Sequence, residues 1–282
     1  MRIVITGAAG ALGRELVAAL AGEDVQALSH TALEVTDRRA VLDCLDSLRP
    51  DVVVHQAAWT DVDGCEREPD RAFRVNALGS LNVADASSHQ GAHLLYLSSD
   101  LVFDGHKDGA YHEWDRTGPL QVYGRSKLAG EHACPPGSTI VRTSWLCGRR
   151  GRNMVRSVLA LASEHETFGF VADQLGCPTM VGDLAGMIRH LIGERLPGIF
   201  HVTNQGEASR YELARAVMEL AGHDPDRVHP IELAAYESAV ASRPVNARLD
   251  NMALRLSGIG LLPPWRESLA HLVGELLGMR EG

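Results

Sequence analysis

The chain has 282 residues, enough to bury the core of one large domain, or of a main domain with a smaller partner domain. Its 45% hydrophobic and 22% charged residues are ordinary for a soluble globular protein. Its net charge of −9 argues against nucleic acid as the main partner, because phosphate backbones bind to basic faces. An anionic small molecule is still allowed, since a local arginine cluster or a helix N-terminus can hold it.

The N-terminal segment and the cysteines indicate the compartment. The first residues, MRIVITGAAG, lack the apolar core of a signal peptide, and no window approaches the roughly 18 uninterrupted apolar residues of a membrane span. We therefore expect a cytoplasmic protein without a membrane partner. The five cysteines form no C-x-x-C pair, and the 13 histidines show no metal-ligand spacing, so we expect reduced thiols and no bound metal.

The first half of the chain alternates short apolar runs with helical segments. Strands are predicted at 2–7, 24–28, 51–58, 93–99 and 138–145. Helices are predicted between them at about 11–21, 39–48, 70–87 and 123–133. Such strand–helix alternation predicts an α/β fold of the Rossmann type, with a doubly wound parallel sheet.

The pattern changes after about residue 148. A helix at 151–165 precedes a run broken by glycine and proline at 169–192, and a strand at 198–204 precedes an amphipathic helix at 209–222. We predict a dinucleotide-binding Rossmann domain formed by residues 1–148 with returning segments at about 179–205. A smaller substrate-binding lobe would consist of about 149–178 and 206–282.

A glycine-rich turn directly follows the first predicted strand. The stretch TGAAGALGREL spaces its glycines as G-x-x-G-x-x-G between a strand and a helix, which is the context that a dinucleotide-binding fingerprint requires. The backbone of such a turn can approach a pyrophosphate at the helix N-terminus. The cofactor-binding residues predicted here are Gly7, Gly10, Ala11, Leu12 and Gly13.

The end of the second strand bears on the choice of cofactor. An acidic residue there binds both ribose hydroxyls and favours NAD, but this strand leads into Ser29 and His30. Together with Arg14 these side chains would face a 2′-phosphate, so the pattern favours NADPH, and NADH stays open. We also assign Glu34 and Val35, further along the same connection, to the cofactor.

Three residues predict the chemistry. The strand 93–99 ends in Ser99, and the next helix carries Tyr123 and Lys127 one turn apart on the same face. Ligands of such sheets bind at the carboxyl ends of the strands, so the three side chains would converge on a substrate carbonyl. Ser99 would orient the oxygen, Tyr123 would donate a proton, and Lys127 would lower the pKa of the phenol. Alone, the Tyr–Lys pair could equally be an ordinary surface pair.

These residues lie within blocks that resemble the extended short-chain dehydrogenases/reductases, and among them the dTDP-4-dehydrorhamnose reductase family. The similarity covers nearly the whole chain and includes the blocks GAAGALGREL, VVHQAAWTDVDGCEREPDRAFRVNA, SSDLVFDG, PLQVYGRSKLAGE, VRTSWLCG and RPVNARLD. It implies NAD(P)H-dependent reduction of the 4-keto group of a nucleotide-activated deoxysugar, with Ser99, Tyr123 and Lys127 as the catalytic trio. A sugar nucleotide would be the partner, and a homodimer is a further expectation.

The resemblance also implies ligand contacts. Ala57 and Ala58 would pack on the cofactor, and Thr60 would line its ribose side. Asn76 would support the active site from beneath. Four residues would face the sugar nucleotide: Ser99, Asp100, Trp145 and Asn153. The other polar residues of these blocks are predicted to be structural or capping residues: Asp63, Glu66, Arg142, Asp173 and Gln174.

Two departures from the family pattern bear on the sugar. Leu101 replaces the usual tyrosine after the S-T-D run, and Cys147 replaces the usual aromatic residue two positions past Trp145. Reduction of a different keto-sugar nucleotide therefore stays open, as does a non-catalytic NADP-binding regulatory subunit. A dehydratase is disfavoured, because Asp100 is followed by Leu101 and not by glutamate.

Overall fold

The structure is a computed structural model that describes residues 1–235 and 240–278. The strands are β1 Arg2–Thr6, β2 Asp24–Leu28, β3 Val52–His55, β4 His93–Ser99, β5 Thr139–Thr143, β6 Leu146–Cys147, β7 Phe168–Val171, β8 Leu175–Gly176, β9 Thr179–Met180, β10 Gly198–His201, β11 Ala208–Ser209, β12 Val228–Ile231 and β13 Asn246–Ala247. The helices are α1 Ala11–Ala19, α2 Arg38–Leu48, α3 Val62–Arg67, α4 Pro69–Phe73, α5 Gly79–Gln90, α6 Val122–Ala133, α7 Met154–Glu164, α8 Val181–Gly193, α9 Arg210–Leu220, α10 Met252–Leu256 and α11 Trp265–Leu276. A π-helical turn, Arg74–Leu78, joins α4 to α5.

The central sheet is parallel. Its six strands run in the order β10-β5-β4-β3-β1-β2, and every neighbouring pair is parallel. The strand order reverses beside β1, so the carboxyl ends of β1, β3 and β4 share the edge at which ligands of such sheets bind. The predicted Rossmann-type fold is confirmed.

Helices cover both faces of this sheet, because successive side chains of a strand point to opposite sides. On one face Ile3, Ile5 and Val54 pack with residues of α1 and α8. On the other face Val4 and Val53 pack with residues of α2 and α5. Strands buried on both sides account for the uninterrupted apolar runs in the sequence.

A separate hydrophobic core lies among the later helices. Side chains of α7, α9 and α11 form it together with residues of β7 and β12. Ala253, Leu254 and Leu262, which follow β13, pack instead with the α1–α8 side of the central sheet. The predicted division of the chain at 148, 179 and 205 stays a prediction.

The segment 169–192, which the sequence shows as a run broken by glycine and proline, contains regular structure. Residues 181–193 form helix α8 despite Gly182, Gly186 and Gly193. A Cβ at each of these glycines would meet nothing within 4 Å, so they lie on the open side of the helix. The opposite side, which includes Leu184 and Ile188, is fully buried against the sheet, and this burial stabilises the helix.

Candidate active site

The glycine turn lies against the end of β3. Gly7 has φ +69°, and a Cβ there would lie 2.8 Å from the Cα of Ala57. A Cβ at Gly13 would lie 2.6 Å from the carbonyl oxygen of Ala8, so both positions require glycine. Helix α1 follows Gly10 without a side-chain cap, which leaves its first N–H groups for an anionic ligand. These residues fit the pyrophosphate of a dinucleotide, and Ala11 and Leu12 begin this helix.

The connection after β2 carries the polar residues predicted to select the cofactor. Ser29 Oγ lies 2.9 Å from Thr31 Oγ1, and exposed His30 pairs with Glu34 at 3.4 Å. Hydrogen bonds from Thr36 to Glu34 hold the pKa of that carboxyl below its usual range. Arg14 is exposed, and its Nε donates to the carbonyl of Ala9 at 3.2 Å.

A cavity of ≈ 680 Å³ adjoins this connection. Its lining includes His30 and Glu34 together with three arginines that no sequence motif assigned to the cofactor: Arg67, Arg71 and Arg74. Val35, by contrast, is buried, and its carbonyl accepts a hydrogen bond from Asn82 at 2.9 Å. Its side chain therefore belongs to the core of this region.

The end of β3 is bound to β1 through His55. Its Nδ1 lies 2.7 Å from Thr6 Oγ1 and its Nε2 lies 3.0 Å from Ser80 Oγ. Complete burial, with a smaller contribution from the charge of Lys127, lowers the pKa of His55 to about 3, so the ring is neutral. Beyond it, Ala57 and Ala58 are half-buried beside the glycine turn and Thr60 is exposed.

Asn76 links this loop to α6. It lies in the π-helical turn, fully buried, and its Oδ1 accepts from Trp59 N at 2.8 Å. Its Nδ2 donates to the Trp59 carbonyl at 3.1 Å and to Ser126 Oγ at 3.0 Å. The Ser126 hydroxyl in turn donates to the carbonyl of Tyr123 at 2.7 Å. Asn76 thus connects the loop after β3 to the helix that carries the predicted proton donor.

The structure brings Ser99 and Tyr123 together. Ser99 ends β4, and its hydroxyl donates to Asp100 Oδ1 at 2.7 Å. Burial, and then the negative charge of Asp100, raises the pKa of the Tyr123 phenol, while a hydrogen bond with Ser99 opposes the shift. Helix α6 begins beside them, where Val122 N donates to Glu66 Oε2 at 2.9 Å. Glu66 therefore caps α6 from another part of the chain.

Lys127 lies one turn after Tyr123 and is equally enclosed. Burial lowers the pKa of its ammonium to about 7, against the opposing effect of the Glu131 carboxylate. Burial also raises the pKa of Asp100 to about 6. The pKa of Tyr123 is therefore raised and not lowered as the sequence predicted, because burial outweighs any effect of Lys127. The phenol keeps its proton at neutral pH, next to two groups that titrate near neutrality.

The predicted substrate-binding residues and their neighbours make different kinds of contact within the chain. Asn153 caps α7, accepting from Arg156 N at 3.3 Å and donating to the Gly148 carbonyl at 2.8 Å. Leu101 packs with Tyr123 in one apolar cluster, and Cys147 is buried two residues past Trp145. The Trp145 ring lies 4.4 Å from the guanidinium carbon of Arg210, a residue that no sequence motif indicated.

The remaining polar residues of the family blocks have structural contacts. Arg142 and Glu131 form a buried ion pair with hydrogen bonds of 2.9 and 2.7 Å. Asp63 accepts from Arg243 at 3.1 Å, and Asp173 accepts from Leu233 N at 2.7 Å.

The described part of the chain contains neither a metal-binding cluster nor a membrane-spanning helix. Within residues 1–235 and 240–278, no group of three or more His, Cys, Asp or Glu could hold a metal ion. No helix in these ranges has the length and apolar character needed to cross a bilayer.

Known proteins resemble the chain over its whole length. The family described as the RmlD substrate binding domain matches residues 1–277. A dTDP-4-dehydrorhamnose reductase of Mycolicibacterium smegmatis is 40% identical over 285 residues, 98% of this chain and 86% of the relative. A probable dTDP-4,6-dihydroxy-2-methyloxan-3-one 4-ketoreductase of Streptomyces antibioticus is 41% identical over 287 residues, 98% of this chain and 96% of the relative.

A solved structure gives the same result. The crystal structure of dTDP-4-dehydrorhamnose reductase from Bacillus anthracis, in complex with NADP, is 38% identical and has a TM-score of 0.94. The match covers 97% of this chain and 99% of that one. The resemblance identified in the sequence is confirmed: the chain belongs to the RmlD substrate binding domain family.

Proposed function

We propose that the protein is an NADPH- or NADH-dependent oxidoreductase that reduces the 4-keto group of a dTDP-activated deoxysugar, dTDP-4-dehydrorhamnose to dTDP-L-rhamnose. The observation that carries the proposal is the enclosed trio at the sheet edge, in which Ser99 contacts the Tyr123 phenol and Lys127 lies one helical turn away. The names and full-length identity of the relatives support the substrate class.

The chain's own residues supply the proton. With the pyrophosphate of a dinucleotide held at the glycine turn, the reduced nicotinamide would supply a hydride to the carbonyl carbon. Tyr123 donates its phenolic proton to the carbonyl oxygen, so that C=O becomes CH–OH and the tyrosine becomes a phenolate that regains a proton from solvent. Burial raises the pKa of this phenol, which keeps the donor protonated at neutral pH until negative charge develops on the oxygen.

The neighbours of Tyr123 assist this transfer. A serine hydroxyl has one proton, so Ser99 donates either to Asp100, as in this structure, or to the substrate oxygen. The Lys127 ammonium, held one turn from the phenol, stabilises the phenolate that remains after transfer. The glycine turn and the loop of Ala57, Ala58 and Thr60 hold the cofactor.

A second candidate substrate is a different keto-sugar nucleotide. The Streptomyces antibioticus relative, by its name, acts on another dTDP sugar. Leu101 and Cys147 add apolar side chains next to the predicted substrate residues, and neither can hydrogen-bond a sugar hydroxyl as a phenol would.

The test is to mix the purified protein with NADPH or NADH and a panel of dTDP-4-keto sugars, and to follow the absorbance of the reduced cofactor. Oxidation of the cofactor by dTDP-4-dehydrorhamnose is expected. Tyr123→Phe should lose about 10²- to 10⁴-fold in kcat with cofactor binding retained, while Tyr211→Phe on α9 should behave as wild type. If no member of the panel is reduced, the reductase proposal fails and the binding-only subunit takes its place.

We propose in addition a cytoplasmic location, which the five scattered cysteines without a C-x-x-C pair support, and a homodimer, which rests on the family resemblance. Light scattering coupled to size exclusion tests the dimer, and a monomer mass would contradict it.

A further inference from the structure

Arg210 is held in a fixed orientation at the start of α9. Its Nε donates to Gln174 Oε1 at 2.7 Å, and its guanidinium lies on the face of Trp145 at 4.4 Å. Gln174 is only 3% exposed and donates in turn to the carbonyl of Pro244 at 3.0 Å. The start of α9 is fixed by a capping box between Ser209 and Glu212. The guanidinium is therefore pre-organised.

Trp145, on which the guanidinium lies, is itself constrained. Its backbone has φ +43°, in the left-handed region that residues other than glycine rarely adopt. A Cβ at Gly176 would lie 2.7 Å from Cζ2 of the indole, so the ring packs directly on that glycine. Strained conformations of this kind persist where the surroundings enforce them, which is most often at binding sites.

The charge of Arg210 acts at the edge of the central sheet where the strands have their carboxyl ends. It lowers the pKa of Asp100, the residue directly after Ser99, against the opposing effect of burial. Arg210 belongs to the helices of the second hydrophobic core, whereas Asp100 follows β4 of the central sheet. A cation thus acts from the later helices on the sheet edge that carries the trio, in a chain whose net charge is −9.

We propose that Arg210 binds the diphosphate of the sugar nucleotide, with Trp145 as its platform and Gln174 as the residue that orients it. This inference rests on the proposed function, because it assumes a nucleoside-diphosphate sugar as substrate. A guanidinium matches phosphate oxygens with two parallel N–H donors, and its weak hydration suits a partly enclosed site. In such a substrate the C1 diphosphate lies across the pyranose ring from the C4 carbonyl. Arg210 is likewise on a different element from the trio, while its charge still acts on Asp100, the residue after Ser99.

The test measures binding of dTDP, which carries the diphosphate without the sugar, to the full-length chain by titration calorimetry. Arg210→Met is expected to weaken dTDP binding by about 10- to 100-fold, the usual effect of hydrogen bonds to charged groups. Binding of thymidine, which has no phosphate, should change little. In turnover, KM for the keto-sugar nucleotide should rise more than kcat falls.

Arg215 provides a matched control on the same helix. It lies five residues later, pairs with Asp226 at 2.9 Å, and faces Tyr211. Arg215→Met should leave dTDP and NADPH binding unchanged. NADPH fluorescence checks that each variant is folded, and if Arg210→Met does not fold, Arg210→Lys serves instead, with a smaller but measurable loss of dTDP affinity.

The outcomes separate this inference from the proposed function. If an Arg210 variant binds dTDP as the wild type does, the inference is overturned, while reduction of the keto sugar can still stand. If Arg210→Met weakens thymidine binding as much as dTDP binding, a structural role replaces phosphate recognition. A wild-type protein that does not bind dTDP contradicts both the inference and the proposed substrate class.

Discussion

The ammonium group of Lys127 lies 4.2 Å from the centre of the Tyr96 ring, and only 2% of the lysine is exposed. The ring face partly compensates the ammonium for its lost hydration, and the Tyr96 hydroxyl donates to the carbonyl of the same lysine at 3.2 Å. The compensation is incomplete, because burial still lowers the pKa of Lys127 to about 7. The position of this lysine therefore makes both activity and stability depend on pH.

The first prediction concerns activity. If reduction needs the Lys127 ammonium, kcat/KM should fall as pH rises through about 7, where the buried group loses its proton. Lys127→Met should have a low rate without this decline. The measurement is kcat/KM for the keto sugar with saturating NADPH across neutral pH. If the wild-type kcat/KM stays constant from about pH 7 to about pH 9, the role assigned to the Lys127 ammonium is contradicted.

The second prediction concerns the stability cost of the same charge. The folded pKa of Lys127 lies below its usual value of 10.5, so the unfolded chain binds more protons between the two values. The folded state is accordingly penalised as pH falls through that window. Lys127→Met should therefore raise the free energy of unfolding near pH 7, measured in urea. Lys107→Met should instead lower it slightly, since Lys107 pairs with Asp115 at a half-buried position.

The third prediction concerns acid lability at His55. Its pKa in the folded chain is about 3, below the usual 6.5, so its contribution to stability is complete above pH 6.5 and is lost as pH falls toward 3. The wild type should lose free energy of unfolding between about pH 7 and pH 5. His55→Gln should lose less over the same interval. The control is His132→Gln, at an exposed position, which should lose as much free energy of unfolding as the wild type. If the wild type and both variants lose the same free energy over this interval, His55 has no role in the acid lability.

The fourth prediction concerns Asn76. Asn76→Ala removes the three hydrogen bonds that this buried side chain makes to Trp59 and Ser126, and should lower the free energy of unfolding by about 2–4 kcal/mol. Because these bonds join the loop after β3 to α6, kcat should fall as well. Asn82→Ala, which removes one bond to Val35, is the control and should cost less. If the two variants lose the same free energy of unfolding, the hydrogen bonds of Asn76 that join the loop after β3 to α6 add no stability beyond that of a single buried hydrogen bond.

The fifth prediction compares two helical glycines. Gly13→Ala places a methyl group 2.6 Å from the backbone of Ala8, so it should displace the glycine turn and weaken NADPH binding, measured by fluorescence. Gly182→Ala meets open space in α8 and should stabilise the chain by up to about 1 kcal/mol. A Gly13→Ala protein with wild-type NADPH affinity would contradict the tight fit of the turn.

Several features were predictable from the sequence because they depend on short-range patterns. Alternation of apolar runs with helical segments predicts the parallel sheet, and the glycine spacing predicts the turn at residues 7–13. The four-residue spacing of Tyr123 and Lys127 places both on one side of α6. In each case the signal lies within about one helix or strand, a range over which backbone geometry alone relates the side chains.

The remainder was decided by contacts between distant parts of the chain. Glu66 caps a helix that begins 56 residues later, Asn76 bonds across 50 residues to Ser126, and Arg210 reaches Gln174 across 36. No local periodicity encodes such pairs, because they form only when the sheet and its helices have packed. The burial that lowers the pKa of Lys127 and raises that of Tyr123 is equally a property of that packing. The sequence by itself determined the strand–helix order and the glycine turn, and it predicted which residues carry the chemistry. The tertiary structure decided how deeply Tyr123 and Lys127 are buried, and with that the direction in which the pKa of each is shifted.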